Sequence, residues 1–326
     1  MIIFGIESTA HTLGMGIMDS KGKCLTNTKR SFFVKKGIHP REAADHHADC
    51  IHELYDECLT SAKIQEKDID LIAFSQGPGI MGCLKIGATF ARTLSMKLNR
   101  PIIGINHCLA HISIGKLMTG AKDPLTVYVS GGNSQITALA GGKYRIFGET
   151  LDIGIGNMID KFARELDLGF PGGPQIDKVM KDAKRYIPLP YTVKGMDFSF
   201  SGVLTEALRQ IKTHKKPIPD VTFSLAENAY SMITEVAERG LSHTGKKELL
   251  LTGGVAASKM LRNKLEIMCK ERGADFFAVP IEFAMDNGAM IAWQGYLEHK
   301  AGRRQEIKDT KVDTKWRTDH VDVFWE

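Results

Sequence analysis

The sequence predicts a duplicated α/β fold organised as about two domains. Three observations carry this. An apolar run, Ile2 to Ile6, ends in Glu7-Ser8-Thr9 and is followed across a polar turn by a second run, Leu13 to Met18. Another hairpin of the same kind, Leu125 to Ser130 and then Gln135 to Leu139, bends at Gly131-Gly132-Asn133-Ser134. Late in the chain a short strand, Glu248 to Thr252, runs into Gly253-Gly254 and a helix reaching Cys269. Apolar runs of this length bounded by glycine and polar clusters read as strands.

The remaining elements follow in order. Asp19-Ser20-Lys21-Gly22 is a turn signal. Pro40 to Ala62 predicts a long amphipathic helix, with Ala43, Ala44, Cys50, Ile51, Leu54 and Cys58 among its apolar positions. It carries His46, His47 and His52, for which helix packing is the commoner role. Asp70 to Ser75 is a buried-type strand leading through Gly77-Pro78-Gly79-Ile80-Met81-Gly82 into a helix from Cys83 to Leu98. That turn matches neither G-x-G-x-x-G nor G-x-x-x-x-G-K-[ST], so it is no Rossmann or P-loop fingerprint. Pro101 to Ile105 is the next strand, and a helix from His107 to Lys116 follows. A helical region spans Asp160 to His243, with Gly172-Gly173-Pro174 and Ser199-Phe200-Ser201-Gly202 in its loops. Asp286 to Lys300 is the last helix, and the basic tail from Arg303 reads as a solvated end.

Composition is that of an ordinary globular protein: 326 residues, 43% hydrophobic, 25% charged, formal net charge +5. The charge permits an anionic partner such as nucleic acid without demanding one. Six cysteines with no C-x-x-C spacing predict reduced thiols and a cytoplasmic location. MIIFGIEST lacks a basic region followed by a long apolar run, which predicts no secretory signal, and no apolar run suits a membrane span.

The chemistry concentrates in GINHCLAHISIGK, Gly104 to Lys116. His107 and His111 stand four apart, which on a helix places both imidazoles on one face, within reach of one metal ion. Two such histidines also commonly just pack. Cys108 occupies the place of the H-E-x-x-H glutamate, so the usual metalloprotease base is missing. Asp286, in FAMDNGAM, reads either as a helix-start acid or as an oxygen ligand joining the histidines. Tyr128 is a fourth ligand candidate, and a mixed His/Asp/Tyr shell suits iron or zinc better than magnesium. Gly131-Gly132 and Gly253-Gly254 are candidate phosphate cradles, because converging backbone N–H groups supply the field without a lysine. The loop Gly154 to Asp160 with Lys161 is a surface ion pair or a ribose contact.

The motifs ESTAHT (7–12), PREAADHHA (40–48), SQGPG (75–79), NHCLAH (106–111), YVSGGNSQ (128–135), LTGGVAAS (251–258) and MDNGAMIAW (285–293) resemble the tRNA threonylcarbamoyladenosine transferase family over nearly the whole chain. The likeness is strongest to the archaeal and eukaryotic branch, the catalytic subunit of the KEOPS complex. The resemblance implies the actin-like/Hsp70-like ATPase fold, with two similar lobes around a nucleotide cleft. It places an N-terminal lobe at 1–116, completed by a C-terminal helix at about 300–326, and a C-terminal lobe with a helical insertion at 117–299. It implies transfer of a threonylcarbamoyl group from threonylcarbamoyl-AMP to N6 of the adenosine 3′ of the anticodon, in tRNAs reading codons that begin with A. AMP leaves.

Carried over, His107, His111, Tyr128 and Asp286 resemble the metal ligands, with iron(II) ahead of zinc. Tyr128, Val129, Ser130, Gly131 and Gly132 resemble the adenylate-contacting segment. Asp160, Gly173 and Asp177 resemble further nucleotide contacts, alongside Gly253 and Gly254. Ser258 stands where family members often carry Asn, which puts a direct contact there in doubt. Glu7 and Lys161 are the candidates for general base. The implied partners are tRNA, a small atypical kinase that some members carry fused behind the transferase, and a small dimerisation subunit. The competing readings are a metal-dependent glycoprotein endopeptidase and a nucleotide-binding kinase or scaffold of the same fold.

Overall fold

In the computed structural model, which describes residues 1–32 and 39–326, the apolar runs pair into two sheets of the same plan. The first sheet holds β1 (Ile2–Glu7), β2 (Thr12–Asp19), β3 (Cys24–Ser31), β4 (Leu71–Gly77) and β5 (Ile102–Asn106), in the order β3-β2-β1-β4-β5. The second holds β6 (Leu125–Val129), β7 (Ser134–Ala140), β8 (Lys143–Glu149), β11 (Glu248–Thr252) and β12 (Asp275–Ala278), in the order β12-β11-β6-β7-β8. In each, a three-strand antiparallel meander is extended by two parallel strands. A short ribbon, β9 (Val193–Lys194) with β10 (Asp197–Phe198), stands apart.

The parallel strands need crossovers, and helices supply them. On the outer side of the first sheet lie α1 (Pro40–Ala62) and α2 (Met81–Leu98), over a core including Phe4, Ile51, Leu54 and Phe74. The second sheet is joined by α4 (Ile155–Glu165), α5 (Gly172–Val179), α6 (Ser201–Lys212), α7 (Ile218–Thr244) and α8 (Lys259–Arg272), followed after β12 by α9 (Ile281–Ala284). Among the described residues no helix is long and apolar enough to cross a membrane.

Two helices lie between the sheets and exchange sides. The first, α3 (His107–Thr119), leaves β5 and packs on β11 and β6 of the second sheet. The other, α10 (Gly288–Lys300), follows the second sheet and packs back across β1, β2 and β4. Glycine makes that approach possible. A Cβ on Gly5 would lie 2.2 Å from Gly288 O, and one on Gly16 would lie 2.2 Å from Ala289 N. The expected division at 116/117 therefore falls inside α3, and residues 288–299 pack with the first sheet.

A terminal helix at about 300–326 does not form. Gly302 adopts a left-handed φ of +98°, which ends α10, and residues beyond carry 3-10 turns at Ile307–Asp309 and Thr318–His320. The tail is not a solvated end either. It is held to both lobes by buried and half-buried contacts, described below. The strands β3, β8 and β12 also went unannounced: β3 is polar at a sheet edge, and β12 is only four residues long.

Beneath the β1–β2 bend, His47 of α1 is fully buried. Burial first, then the neighbouring His46, pushes its imidazole down to about 4. The unfolded chain therefore binds this proton more readily, so His47 favours folding fully above its ordinary value near 6.5 and the gain is lost as pH falls toward 4. Between pH 7 and pH 5 this amounts to about 2 kcal/mol, and His47→Leu is expected to remove that part of the urea-unfolding pH dependence. An identical pH slope in the variant would contradict it. Gly16→Ala is expected to cost about 3 kcal/mol by the same measurement, because helix backbone blocks the new methyl group.

Candidate active site

The parallel strands of each sheet end at the same edge, and those edges face each other across the interlobe cleft. Glu7 closes β1, Gly77 closes β4 and Asn106 closes β5; opposite them, Tyr128 is the penultimate residue of β6 and Thr252 closes β11. Carboxyl ends of parallel strands are where open α/β sheets present their chemistry.

Each long helix between the sheets starts at this cleft. Asn106 caps α3, accepting from Cys108 N at 3.0 Å and Leu109 N at 3.3 Å. Asn287 caps α10, accepting from Met290 N at 2.9 Å. His107 directly follows the first cap and Asp286 directly precedes the second, so the two start points bring them together. Asp286 Oδ1 lies 3.3 Å from His111 Nε2 and 3.6 Å from His107 Nε2. One ligand atom from each of the three residues lies within 4.8 Å of the others. An ion with bonds of about 2.0–2.2 Å to nitrogen and oxygen spans such a gap.

The supporting groups are in place. His107 Nδ1 donates to Glu7 Oε2 at 2.9 Å, which turns Nε2 toward Asp286. Thr9 N donates to Glu7 Oε1 at 2.7 Å. A carboxylate behind a histidine fixes its tautomer and raises its basicity as a ligand. The Tyr128 ring lies 5.0 Å from that of His111, and its hydroxyl is buried with no hydrogen-bond partner in ordinary geometry among the described residues. An orphaned phenol beside two imidazoles and a carboxylate is what a fourth ligand looks like without its ion, so the donor set fits a metal.

Burial works against charge in this cluster, and the partners answer it. Burial acts to raise Asp286, but His107 and His111 outweigh it and hold the carboxyl well below the usual range. Burial acts to lower His107, but Glu7 and Asp286 keep it up at about 9. For His111 burial prevails and the imidazole stays below its ordinary value. Burial pushes the Tyr128 phenol well up, so Tyr128 stays protonated without an ion. Cys108, in the position of a metalloprotease glutamate, is buried with its thiol pushed up to about 12, and supplies no base.

A cavity of about 410 Å³ adjoins the cluster, lined among others by Thr9, His11, Gly79, Gly131, Asn157 and Asp160. That size suits a small ligand. The bend after β6 is built to face it. Gly156 N donates to Ser130 O and Asn157 N to Gly131 O, so the start of α4 takes up the bend's carbonyls. A Cβ on Gly132 would meet nothing within 4 Å, so the cradle is open there. Gly253 is needed for its backbone: its φ is +94° and a Cβ would lie 2.3 Å from Val129 O. Asp160 Oδ1 accepts from Gly172 N at 2.7 Å. Burial raises its carboxyl despite that bond.

The expected site residues separate accordingly. His107, Tyr128, Ser130, Gly131, Gly132, Asp160, Gly254 and Asp286 line the cavity. Val129 is buried in β6, Gly253 shapes the turn, and Ser258 caps α8 with Leu261 N donating to its hydroxyl at 3.4 Å. Gly173 and Asp177 sit on α5 outside the lining, with Asp177 half-buried. Lys161 is exposed on α4 and does not reach the cavity lining, because the polar face of that helix turns to solvent. Glu7 is fully buried behind His107, holds that imidazole by a hydrogen bond and does not line the cavity. His11, Asn157 and Phe170 line the cavity without having been singled out. His11 lay within the ESTAHT motif and Asn157 within the loop Gly154 to Asp160; Phe170 carries no signal short of the fold.

The family described as TsaD, tRNA N6-adenosine threonylcarbamoyltransferase, matches residues 23–293 of this chain. The chain belongs to this family. A protein named tRNA N6-adenosine threonylcarbamoyltransferase from Thermococcus sibiricus is 54% identical over 326 residues, covering 100% of both chains. Its counterpart from Thermococcus kodakarensis is likewise 54% identical with full coverage of both. A probable bifunctional tRNA threonylcarbamoyladenosine biosynthesis protein from Methanocaldococcus jannaschii is 52% identical over all of this chain and 60% of its own length. Among solved structures, Thermococcus kodakarensis HypF shares 14% identity and a TM-score of 0.65 over 95% of this chain and 50% of its own. An activator of 2-hydroxyisocaproyl-CoA dehydratase from Clostridium difficile, with bound ADPNP, shares 9% identity and a TM-score of 0.55 over 94% of this chain and 100% of its own. These likenesses establish the actin-like/Hsp70-like fold that the threonylcarbamoyltransferase resemblance implied.

If Glu7 orients His107 for metal, Glu7→Gln should weaken metal binding by about 10- to 100-fold. Competition against a chromogenic chelator measures this, and wild-type affinity in the variant would contradict it.

Proposed function

We propose that this protein transfers the threonylcarbamoyl group of threonylcarbamoyl-AMP to N6 of the adenosine 3′ of the anticodon in tRNAs reading codons that begin with A. The observation that carries the reading is the meeting of two histidines, an aspartate and an orphaned tyrosine beside a glycine-lined cleft, in a chain of this family. No observation favours the endopeptidase or kinase readings.

His107, His111, Asp286 and Tyr128 would hold one divalent ion, iron(II) ahead of zinc. When bound, the ion supplies a Lewis acid that polarises an oxygen of the donor. The chain's own residues do the rest. Backbone N–H groups of Gly131 and Gly132 face the adenylate phosphate and favour its negative charge as AMP departs. Gly253 and Gly254 let the opposite strand end approach the nucleotide closely. Asp160, held toward the cleft by the Gly172 N–H, accepts from ribose hydroxyls. A bond forms from N6 to the carbamoyl carbon, the bond from that carbon to the phosphate oxygen breaks with its electron pair going to AMP, and one proton passes from N6 to solvent. An adenine amine is a weak nucleophile, so holding donor and acceptor in line supplies much of the rate.

The enzyme works in the cytoplasm with tRNA, and its KEOPS-type partners include a small atypical kinase and a small dimerisation subunit. The relatives named bifunctional, whose extra length lies outside the match, support a linked partner activity.

The test supplies synthetic threonylcarbamoyl-AMP and tRNA to the protein with its partner subunits, and follows modified adenosine and AMP. His111→Ala is expected to drop transfer to background while the protein stays folded. Undiminished transfer by the variant would refute the metal role, and absence of transfer by the wild-type protein would refute the reading.

A further inference from the structure

Residues 305–326 form a strap that crosses the back of α3 from one lobe to the other. At its start Gly104 N donates to Gln305 Oε1 at 2.7 Å, and Gln76 Nε2 donates to Lys311 O at 2.7 Å. Asp313 N donates to Gln76 O at 2.9 Å, and a Cβ on Gly77 would lie 1.8 Å from Asp313 O, so the strap lies directly on the end of β4. At its far end Val323 N donates to Gly142 O at 2.7 Å and Tyr144 OH donates to Glu326 Oε1 at 3.0 Å, both on the β7–β8 hairpin. Lys116 of α3 pairs with Glu326. Between these anchors Trp316, Val321 and Val323 pack with Leu109 and Ile112 on the outer face of α3.

The middle of the strap touches the site's support. Asn106 is fully buried, and its amide is used on both sides. Its oxygen caps α3, and its Nδ2 donates to Trp316 O at 3.1 Å. A flipped amide would set its NH2 against the Cys108 and Leu109 N–H donors and leave the Trp316 carbonyl facing an oxygen. The Trp316 carbonyl therefore selects the amide orientation that caps α3, and the next residue is His107. Four residues on, His111 rides on the same helix, with α10 against one side and the strap against the other.

We infer that the strap is a working part of the metal site: through Trp316 O and Asn106 it fixes the start of α3, and with it the placing of His107 and His111. Asn106 is a positioning residue that touches no substrate. The inference rests on the metal site proposed above. It has a thermodynamic corollary. If strap docking strengthens metal binding, metal binding strengthens strap docking by the same factor.

Asn106→Asp tests this, because a carboxylate still caps a helix but cannot donate to Trp316 O. Zinc and iron(II) affinity are measured by chelator competition on the full chain, and hydrogen exchange follows the strap amides, Val323 among them, with and without metal. The variant is expected to lose about 10- to 100-fold in metal affinity, and metal is expected to slow strap exchange in the wild type but not in the variant. Should Asn106→Asp not fold, Asn106→Ser replaces it, since serine also caps and has no amide donor. Equal affinity in folded variant and wild type overturns the inference while leaving the metal site standing. A wild-type protein that takes up no metal overturns the metal site, and this inference with it.

Discussion

The contact on which the arrangement depends is the approach of Asp286 to His107 and His111 across the interlobe boundary. His107 and Asp286 sit beside the caps where the two helices begin, with His111 one turn further along, and each helix packs on the other half's sheet. An open cleft flanked by two flexible lobes would not hold three ligand atoms within 4.8 Å. The exchange of α3 and α10 does, because moving either lobe drags a helix out of the other's core. The glycines at 5, 14, 16 and 288 matter for the same reason: they let α10 settle onto the first sheet closely enough for its start to reach His111.

The duplication explains why the site is asymmetric in chemistry but symmetric in construction. Asn106-His107 and Asp286-Asn287 each stand at the start of a helix that follows the last strand of a sheet, directly after β5 in one case and after the short α9 in the other. The bends after β1 and β6 also match. One carries Glu7 and Thr9 and supports His107 from behind; the other carries Gly131 and Gly132 and presents backbone to the cavity. One half supplies imidazoles and the other supplies the carboxylate, the phenol and the glycine bend.

Much of this was legible in the residues. Strands with continuous apolar runs, such as Glu248–Thr252, and the periodic helix Pro40–Ala62 with proline at its start fall where pattern alone puts them. The i, i+4 histidines and the glycine pairs were visible because their spacing is local. What stayed hidden depends on long-range placement. Glu7 reads as a base until its hydrogen bond to His107 is seen, 100 residues away in sequence. Lys161 looks chemical beside Asp160, but a single step along a helix turns it to solvent. The strap was unreadable because its bonds are mostly to its own backbone carbonyls and N–H groups, which carry no side-chain signature, and its charged side chains suggest solvent.

The most direct measurement is a crystal structure with bound adenine nucleotide, collected on both sides of the iron and zinc absorption edges. The account predicts one anomalous peak bonded to Nε2 of His107, Nε2 of His111, a carboxylate oxygen of Asp286 and the Tyr128 hydroxyl, with the nucleotide phosphate against Gly131 and Gly132. A peak elsewhere, or a nucleotide seated outside that cleft, would contradict it.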